Sequence, residues 1–148
     1  MKIALVGHAI PSTGSGVSMG IARYIYSLGT EFRSRGNEVE LFIRNDRRPE
    51  DDWIKTVYAP KFSWIPYPFF VRRKLRGVSA DVFHSDFITT GSAIVKAGKR
   101  PAVVSMHDAI PFTYDIKNMP RSEKLGTKWY MRCFRTAAKA DAVILMSE

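Results

Sequence analysis

Short apolar runs alternate with longer segments of helical periodicity along the chain. The first run, residues 3–6, is continuous and is closed by Gly7, which is typical of a parallel strand buried on both faces of a sheet. After a polar, glycine-rich loop, apolar residues recur every three or four positions and predict a helix over residues 17–35. Later runs predict strands at residues 39–43, 56–59, 81–84, 102–106 and 142–146, and helices at residues 89–97 and 122–139.

This alternation predicts an α/β fold, a Rossmann-like doubly wound parallel sheet with helices on both faces. A length of 148 residues suits a single domain, so we expect residues 1–148 to fold as one unit. Hydrophobic residues make up 45% and charged residues 25%, which excludes a disordered chain. The first apolar run is far shorter than the ~20 residues of a membrane span and lacks the pattern of a secretion signal.

The chain has one cysteine, Cys133, so no disulfide can form within it. A reducing compartment is the simpler interpretation, and we expect a cytoplasmic protein. Cys133 lies between Arg132 and Phe134 in a predicted helix whose apolar positions also include Leu125 and Trp129. We expect these apolar side chains to share one side of the helix and the thiol to be packed rather than nucleophilic.

A net charge of +9 favours an acidic partner, such as phosphate groups, a nucleotide sugar, an anionic membrane surface or nucleic acid. Residues 61–77 combine aromatic and basic side chains without an acidic one. Two interpretations stay open, namely peripheral attachment to an anionic membrane or ordinary packing of the aromatic rings with solvated cations. No recognition helix or RNA-binding signature is present, so we expect no nucleic-acid partner. The residues concerned are Lys61, Trp64, Tyr67, Phe69, Phe70, Arg72, Arg73, Lys74 and Arg76.

All three histidines lie at the ends of predicted strands: His8, His84 and His107, the last beside Asp108. The carboxyl ends of parallel strands meet at one edge of a sheet, where ligands bind. A neutral imidazole at His107 can accept a proton, and the adjacent carboxylate can orient it. The alternative is a histidine satisfied by backbone groups, with Asp108 in a turn before Pro111. Their spacing is not that of metal ligands, so we expect no metal site.

The glycine-rich loop between the first strand and the first helix contains Gly14, Ser15, Gly16 and Gly20. Glycines allow backbone N–H groups to approach a ligand closely, and a helix start favours phosphate. The glycines lie too far from the strand end for a dinucleotide fingerprint, and no Lys-Ser/Thr pair of a P-loop follows. A merely flexible connection remains the alternative.

Three segments together resemble the retaining glycosyltransferases of family 4, which have the GT-B fold. They are PSTGSGVSMGIARYIYSLGTEFRSRGNEVELFI (residues 11–43), VVSMHDAIPF (residues 103–112) and KADAVILMSE (residues 139–148). The resemblance implies that this chain is the N-terminal, acceptor-side domain. A C-terminal donor-binding domain would be absent from it, and the chain alone would be inactive.

The resemblance also implies an activity for the whole enzyme. It would transfer a hexose of mannose or glucose type from a nucleotide sugar to a glycan or lipid-linked acceptor, with retention and without a cofactor. His107 and Asp108 would be catalytic, and Gly14, Ser15 and Gly16 would lie at the donor's diphosphate. We assign His8 and His84, at the same edge, to substrate binding.

Two functions of other classes remain as alternatives. In an NAD(P)-binding oxidoreductase domain, Arg44 at the end of the second predicted strand would hold a ribose phosphate, although the glycine spacing argues against it. The other is a non-catalytic basic domain that binds membranes or nucleic acid.

Overall fold

The computed structural model describes residues 1–7, 19–44, 51–59, 66–107 and 120–145. In chain order the described elements are β1 (Lys2–Val6), α1 (Met19–Ser34), β2 (Glu38–Ile43), β3 (Ile54–Thr56), α2 (Tyr67–Leu75), β4 (Val82–Ser85), α3 (Ile88–Lys96), β5 (Ala102–Met106), α4 (Arg121–Ala137) and β6 (Ala142–Leu145). The six strands form one parallel sheet in the order β3-β2-β1-β4-β5-β6. The predicted doubly wound α/β fold is confirmed.

Strand β1 lies at the centre of the sheet, between β2 and β4. Leu5 pairs with Leu41 on one side and with His84 on the other. The strand order reverses at this point, because the chain adds β2 and β3 in one direction and β4 to β6 in the other. In open parallel sheets ligands bind in the crevice beyond the carboxyl ends of the strands at such a reversal.

Helices cover both faces of the sheet, which is why β1 is apolar at every position after Lys2. Ile3 and Leu5 point to one face and pack with Ile25 of α1. Ala4 and Val6 point to the opposite face, in the cluster that contains the buried side chains of α2 and α3. Helix α4 packs on this second face through Cys133 and Ala137, which meet β5 at Val104 and Met106. Cys133 is free and buried, so its predicted packing is confirmed.

Helix α1 ends as its sequence predicts. Gly36 has a φ of 80°, a left-handed conformation that favours glycine. Its N–H donates to the Arg33 carbonyl at 2.9 Å, and the Asn37 N–H donates to the Phe32 carbonyl at 3.1 Å. These bonds satisfy carbonyl groups of the last turn that have no partner inside the helix.

The structure differs from the sequence-based predictions in three local features. Strand β3 spans Ile54–Thr56 rather than residues 56–59, although Val57 and Ala59 just beyond it are buried. Helix α2 was not predicted. The apolar residues of α4 do not share one side, since Leu125 is 65% and Trp129 39% exposed while Cys133 is buried. Apolar positions spread over a wide arc of this helix, and only part of that arc faces the sheet.

Gly29 marks the closest approach of α1 to the sheet. A Cβ atom at this position would lie 2.5 and 2.7 Å from two ring carbons of Trp53 and 3.0 Å from Leu5. Trp53 is buried, and its rigid ring is held between α1 and the sheet. A side chain at residue 29 would therefore push the helix away from its contacts.

We expect Gly29→Ala to destabilise the fold by about 1–2 kcal/mol, because the overpacking outweighs the helix propensity gained by alanine. The matched control is Gly126→Ala in the interior of α4, where a Cβ would meet nothing within 4 Å. That change should stabilise the protein by up to about 1 kcal/mol. Urea unfolding of both variants measures the difference, and equal effects at the two positions would contradict the close packing at Gly29.

Candidate functional site

The carboxyl edge of the sheet brings together residues that are far apart in the sequence. His107 directly follows β5, Asp86 directly follows β4, and Gly7 directly follows β1. The Asp86 N–H donates to the Val6 carbonyl at 3.1 Å, and the Tyr67 hydroxyl donates to the Gly7 carbonyl at 3.1 Å. This edge is therefore held together by hydrogen bonds between elements and is built on rigid strand ends.

His84 lies within β4 and points to the face of the sheet that α1 covers. It is 6% exposed, and its Nε2 atom lies 2.9 Å from the Ser105 hydroxyl of β5. The same hydroxyl lies 3.0 Å from the Tyr24 hydroxyl of α1. Hydroxyl groups can both donate and accept, so the three side chains form one continuous hydrogen-bonded chain. This chain joins β4, β5 and α1, and we call it the Tyr24–Ser105–His84 chain.

Tyr24 also contacts His107 at the strand end. The two rings are 5.0 Å apart between centroids and nearly perpendicular, at 80°. The Tyr24 and His84 rings are 6.3 Å apart at 71°. Edge-to-face contacts of this kind are favourable and directional, so Tyr24 fixes the orientation of the His107 imidazole while its hydroxyl is held by Ser105.

The Nε2 atom of His107 is buried and has no hydrogen-bond partner among the described residues. A buried ring nitrogen without a partner is unfavourable by about 1–3 kcal/mol, and such groups are rare outside functional sites. Together with its place at the strand end, this nitrogen makes His107 the strongest candidate for contact with a ligand.

Burial, with a smaller contribution from the nearby His107 imidazole, lowers the pKa of His84 to about 4. His84 is therefore neutral at neutral pH. It contributes a hydrogen bond to Ser105 rather than a positive charge, so the two imidazoles can lie against the same tyrosine without mutual repulsion.

Asp86 is a second polar residue at this edge, and the sequence-based assignment of the site omitted it. Its side chain is fully buried, and Thr90 in the first turn of α3 donates to its Oδ1 atom at 3.2 Å. Burial raises the pKa of Tyr67 above its usual range, and the Asp86 carboxylate adds to this effect, so the phenol stays protonated. A carboxylate two residues after the predicted strand 81–84 was a usable signal, since it marks the same edge as the histidines.

The structure brings together two of the predicted site residues, His84 and His107, around Tyr24. The other five, His8, Gly14, Ser15, Gly16 and Asp108, lie outside the described residues. Besides Asp86, two members of the Tyr24–Ser105–His84 chain were missed. Ser105 interrupts an apolar strand and was detectable as a polar residue in the run VVSM, whereas Tyr24 occupies an ordinary apolar position of an amphipathic helix.

Neither a metal centre nor a membrane-crossing helix is found in the part of the chain that the structure describes. No three histidine, cysteine or acidic side chains there are grouped so that they could hold a metal ion. None of the described helices is long and apolar enough to cross a membrane.

Comparison with known proteins gives a family match. The sequence profile of Glycosyltransferase Family 4 matches residues 19–148. The matched region runs from α1 to the end of the chain, and it includes Tyr24, His84, Ser105 and His107. A search among curated proteins finds no significant match.

The neutral state of His84 makes stability dependent on pH. In the unfolded chain His84 would have its ordinary pKa of 6.5, so between pH 6.5 and 4 the unfolded state binds more protons than the folded state. We therefore expect the free energy of unfolding to fall by up to about 3 kcal/mol as the pH drops through this range.

The measurement is urea unfolding at several pH values between 4 and 7, for wild type and for His84→Gln. Glutamine can keep a hydrogen bond to Ser105 but does not titrate, so the variant should lose this part of the pH dependence. Identical pH profiles for the two proteins would show that His84 is not held neutral by the fold.

Proposed function

We propose, since the chain belongs to glycosyltransferase family 4, that it is the N-terminal, acceptor-side domain of a retaining hexosyltransferase with the GT-B fold. The enzyme transfers a hexose of mannose or glucose type from a nucleotide sugar to a glycan or lipid-linked acceptor in the cytoplasm. A C-terminal domain outside this chain binds most of the donor. The chain alone is therefore inactive, and the reaction requires no cofactor besides the donor substrate.

The proposal rests mainly on the position and environment of the His107 imidazole. It lies at the carboxyl end of β5, at the edge where parallel sheets bind ligands. Tyr24 orients the ring, and Nε2 lacks a hydrogen-bond partner within the described ranges. A ring nitrogen held in this way can form a hydrogen bond to a hydroxyl group of the transferred sugar. Because the ring is already positioned, the bond forms without further loss of side-chain freedom.

Most of the remaining assigned residues lie in the sequence between β1 and α1. Gly14, Ser15 and Gly16 precede the N-terminus of this helix, where backbone N–H groups and the helix dipole favour a diphosphate. His8 follows β1 and is assigned to substrate binding, as is His84 through its contact with the His107 site. Asp108 supports the His107 imidazole.

The family match supports a transferase over the alternative of an NAD(P)-dependent oxidoreductase. The sheet order alone does not separate the two, since many dinucleotide-binding domains share it. The choice of a transferase over an oxidoreductase rests on the sequence match over residues 19–148. It rests also on the His107 imidazole at the strand ends, where an oxidoreductase would have a glycine fingerprint.

We also propose peripheral attachment to an anionic membrane through residues 61–77, where a lipid-linked acceptor would be met. In α2, Tyr67 is buried and Phe70 is half-buried against the core, so these two rings pack. Phe69, by contrast, is 51% exposed, and Arg73, Lys74 and Arg76 are also exposed. The outer side of this segment thus combines an aromatic ring with cations, which suits an anionic bilayer surface.

We expect His107→Ala to lower the turnover of the full-length enzyme by about a hundredfold or more, the usual effect of removing a positioned catalytic group. The assay measures nucleoside diphosphate released from a panel of nucleotide hexoses in the presence of lipid and glycan acceptors. Circular dichroism checks that the variant is folded. Thr30→Ala, on the exposed surface of α1, should leave turnover unchanged. Undiminished turnover in a folded His107→Ala enzyme would reject the assignment.

For the membrane contact we expect replacement of Arg72, Arg73, Lys74 and Arg76 by glutamine to abolish binding to anionic vesicles. Near such a surface each cation contributes about 1 kcal/mol, so the four contribute roughly 4 kcal/mol at low salt. Binding of the wild-type chain should weaken as salt rises, because screening shortens to ~3 Å at 1 M. Co-sedimentation with anionic and neutral vesicles measures this. If the wild-type chain ignores anionic vesicles even at low salt, the acceptor is soluble.

A further inference from the structure

The two faces of the sheet differ strongly in charge. Helix α1, on one face, carries Arg23 and Arg33 together with Glu31. On the other face the described side chains of α2, α3 and α4 include one acidic residue, Glu123. Their basic residues are Arg72, Arg73, Lys74, Lys96, Lys124, Lys128, Arg132 and Arg135. The positive charge of the described helices is therefore concentrated on the face opposite α1.

The same face exposes large apolar side chains. Leu125 is 65%, Phe69 51% and Trp129 39% exposed. Leu125 and Trp129 are four residues apart and so form a stripe along the outside of α4, with Lys128 and Arg132 beside them. Exposed leucine and tryptophan among basic residues are typical of helices that lie on a membrane surface, with the apolar side chains at the headgroup level.

Trp129 connects this stripe with α2. A hollow of about 190 Å³ between α2, α3 and α4 is lined by Phe69, Arg72, Lys96 and Trp129 and has the buried Cys133 at its wall. The described residues that line a second hollow, of about 570 Å³, all belong to α4, and Trp129 is one of them. The other lining residues of the second hollow are Leu125, Lys128, Met131, Arg132 and Arg135. The exposed sides of α2 and α4 thus form one continuous surface, and neither hollow includes His107.

Arg72, which lines the smaller hollow, has a donor atom without an acceptor among the described residues. The Nε atom of Arg72 is buried, and no hydrogen-bond acceptor for it lies within the described ranges. Lys96 lines the same hollow. An arginine and a lysine at one concave point, with a tryptophan as the wall, match the charge of a phosphate group that is attached to an apolar chain.

We propose that the outer side of α4 docks on an anionic phospholipid bilayer. In this arrangement Leu125 and Trp129 lie at the headgroup level, and Lys128, Arg132 and Arg135 face lipid phosphates. This extends the proposed membrane contact of residues 61–77 to a second helix and rests on that part of the proposed function. A bilayer fits better than nucleic acid, because Leu125, the most exposed apolar side chain of this surface, is aliphatic: it matches acyl chains and offers no ring on which a base could stack.

The test compares two variants of equal net charge. The α4 variant carries Lys128→Gln, Arg132→Gln and Arg135→Gln. The control carries Arg23→Gln, Arg33→Gln and Arg35→Gln, which removes three exposed charges from α1 and the residue after it. At low salt the α4 variant should bind vesicles of phosphatidylglycerol and phosphatidylcholine roughly a hundredfold more weakly than wild type, since each of the three cations at the surface adds a factor of about five. The control should change binding less than threefold.

A second readout reports on insertion. Phospholipid with bromine on the upper acyl chain should quench the tryptophan emission of the wild-type chain, and Trp129→Phe should remove a large share of that quenching. Phenylalanine keeps an aromatic ring at the wall of both hollows, so the fold is preserved, as circular dichroism can verify. Quenching that is unchanged in Trp129→Phe would show that Trp129 does not enter the bilayer.

Equal losses in the α4 variant and the control would mean that net charge alone drives binding, and would overturn the proposal. An unaffected α4 variant, with binding lost only in the four-residue α2 variant, would overturn it while leaving the contact of residues 61–77 intact.

Tighter binding of an oligonucleotide than of vesicles at equal salt would identify a nucleic-acid surface instead. Vesicle binding by the chain but not by the full-length enzyme would show that another domain covers α4. The transferase assignment is tested separately by His107→Ala.

Discussion

A histidine ring buried in a parallel sheet must have a hydrogen-bond partner. The positions of Ser105 and Tyr24 near the candidate site follow from how His84 meets this requirement. Burying an imidazole without one is costly, and the ring can be neither solvated nor paired by the strand on which it lies. Ser105 on the adjacent strand supplies the partner at 2.9 Å. Tyr24 then holds the serine from α1. Three elements are thereby tied together through a single hydroxyl group.

The Tyr24–Ser105–His84 chain connects the interior of the sheet with the candidate site, because Tyr24 has two contacts. Its hydroxyl is engaged with Ser105, inside the protein, and its ring lies against His107, at the edge. A tyrosine that is held at one end cannot rotate freely at the other, so the interior of the sheet determines how the His107 ring is presented. The neutral state of His84 belongs to the same arrangement, since a buried positive charge here would repel any positive charge on the second imidazole.

The helices and strands that follow from local sequence patterns were predictable. The contacts that depend on how neighbouring strands pair were not. Continuous apolar runs located β1, β2, β5 and β6 to within a residue or two, and the glycine at residue 36 located the end of α1. Two of the three histidines were correctly brought near one edge. The hydrogen bond between His84 and Ser105, however, depends on the register of β4 against β5, in which His84 pairs with Val103, and no local pattern encodes that register.

The errors on the helices have a related cause. Tyr67, Val71 and Leu75 repeat at intervals of four and all are buried, so α2 carried a helical signal. The signal spans two turns, and the prolines at residues 66 and 68 together with the run of cations obscured it. For α4 the periodicity was clear, but periodicity alone does not decide which of several apolar positions faces the core. Leu125 and Trp129 were expected on the same side of the helix as Cys133, but they are exposed while Cys133 is buried. This difference points to a surface whose apolar residues serve something other than packing.

The distribution of charge changes what the net charge of +9 implies. Taken from composition, that excess favours any acidic partner, including the diphosphate of a nucleotide sugar. Most of the cations on the described helices nevertheless lie on α2 and α4, on the face opposite α1. The carboxyl edge carries Arg44, directly after β2, together with the buried Asp86 and the imidazoles of His84 and His107. Screening confines the effect of exposed charges to about 10 Å at moderate salt, so cations on that outer surface act on what approaches it and little on a ligand at the strand ends. The basic character of this chain therefore supports the proposed membrane contact, whereas the proposed chemistry rests on Tyr24, Ser105 and the two histidines.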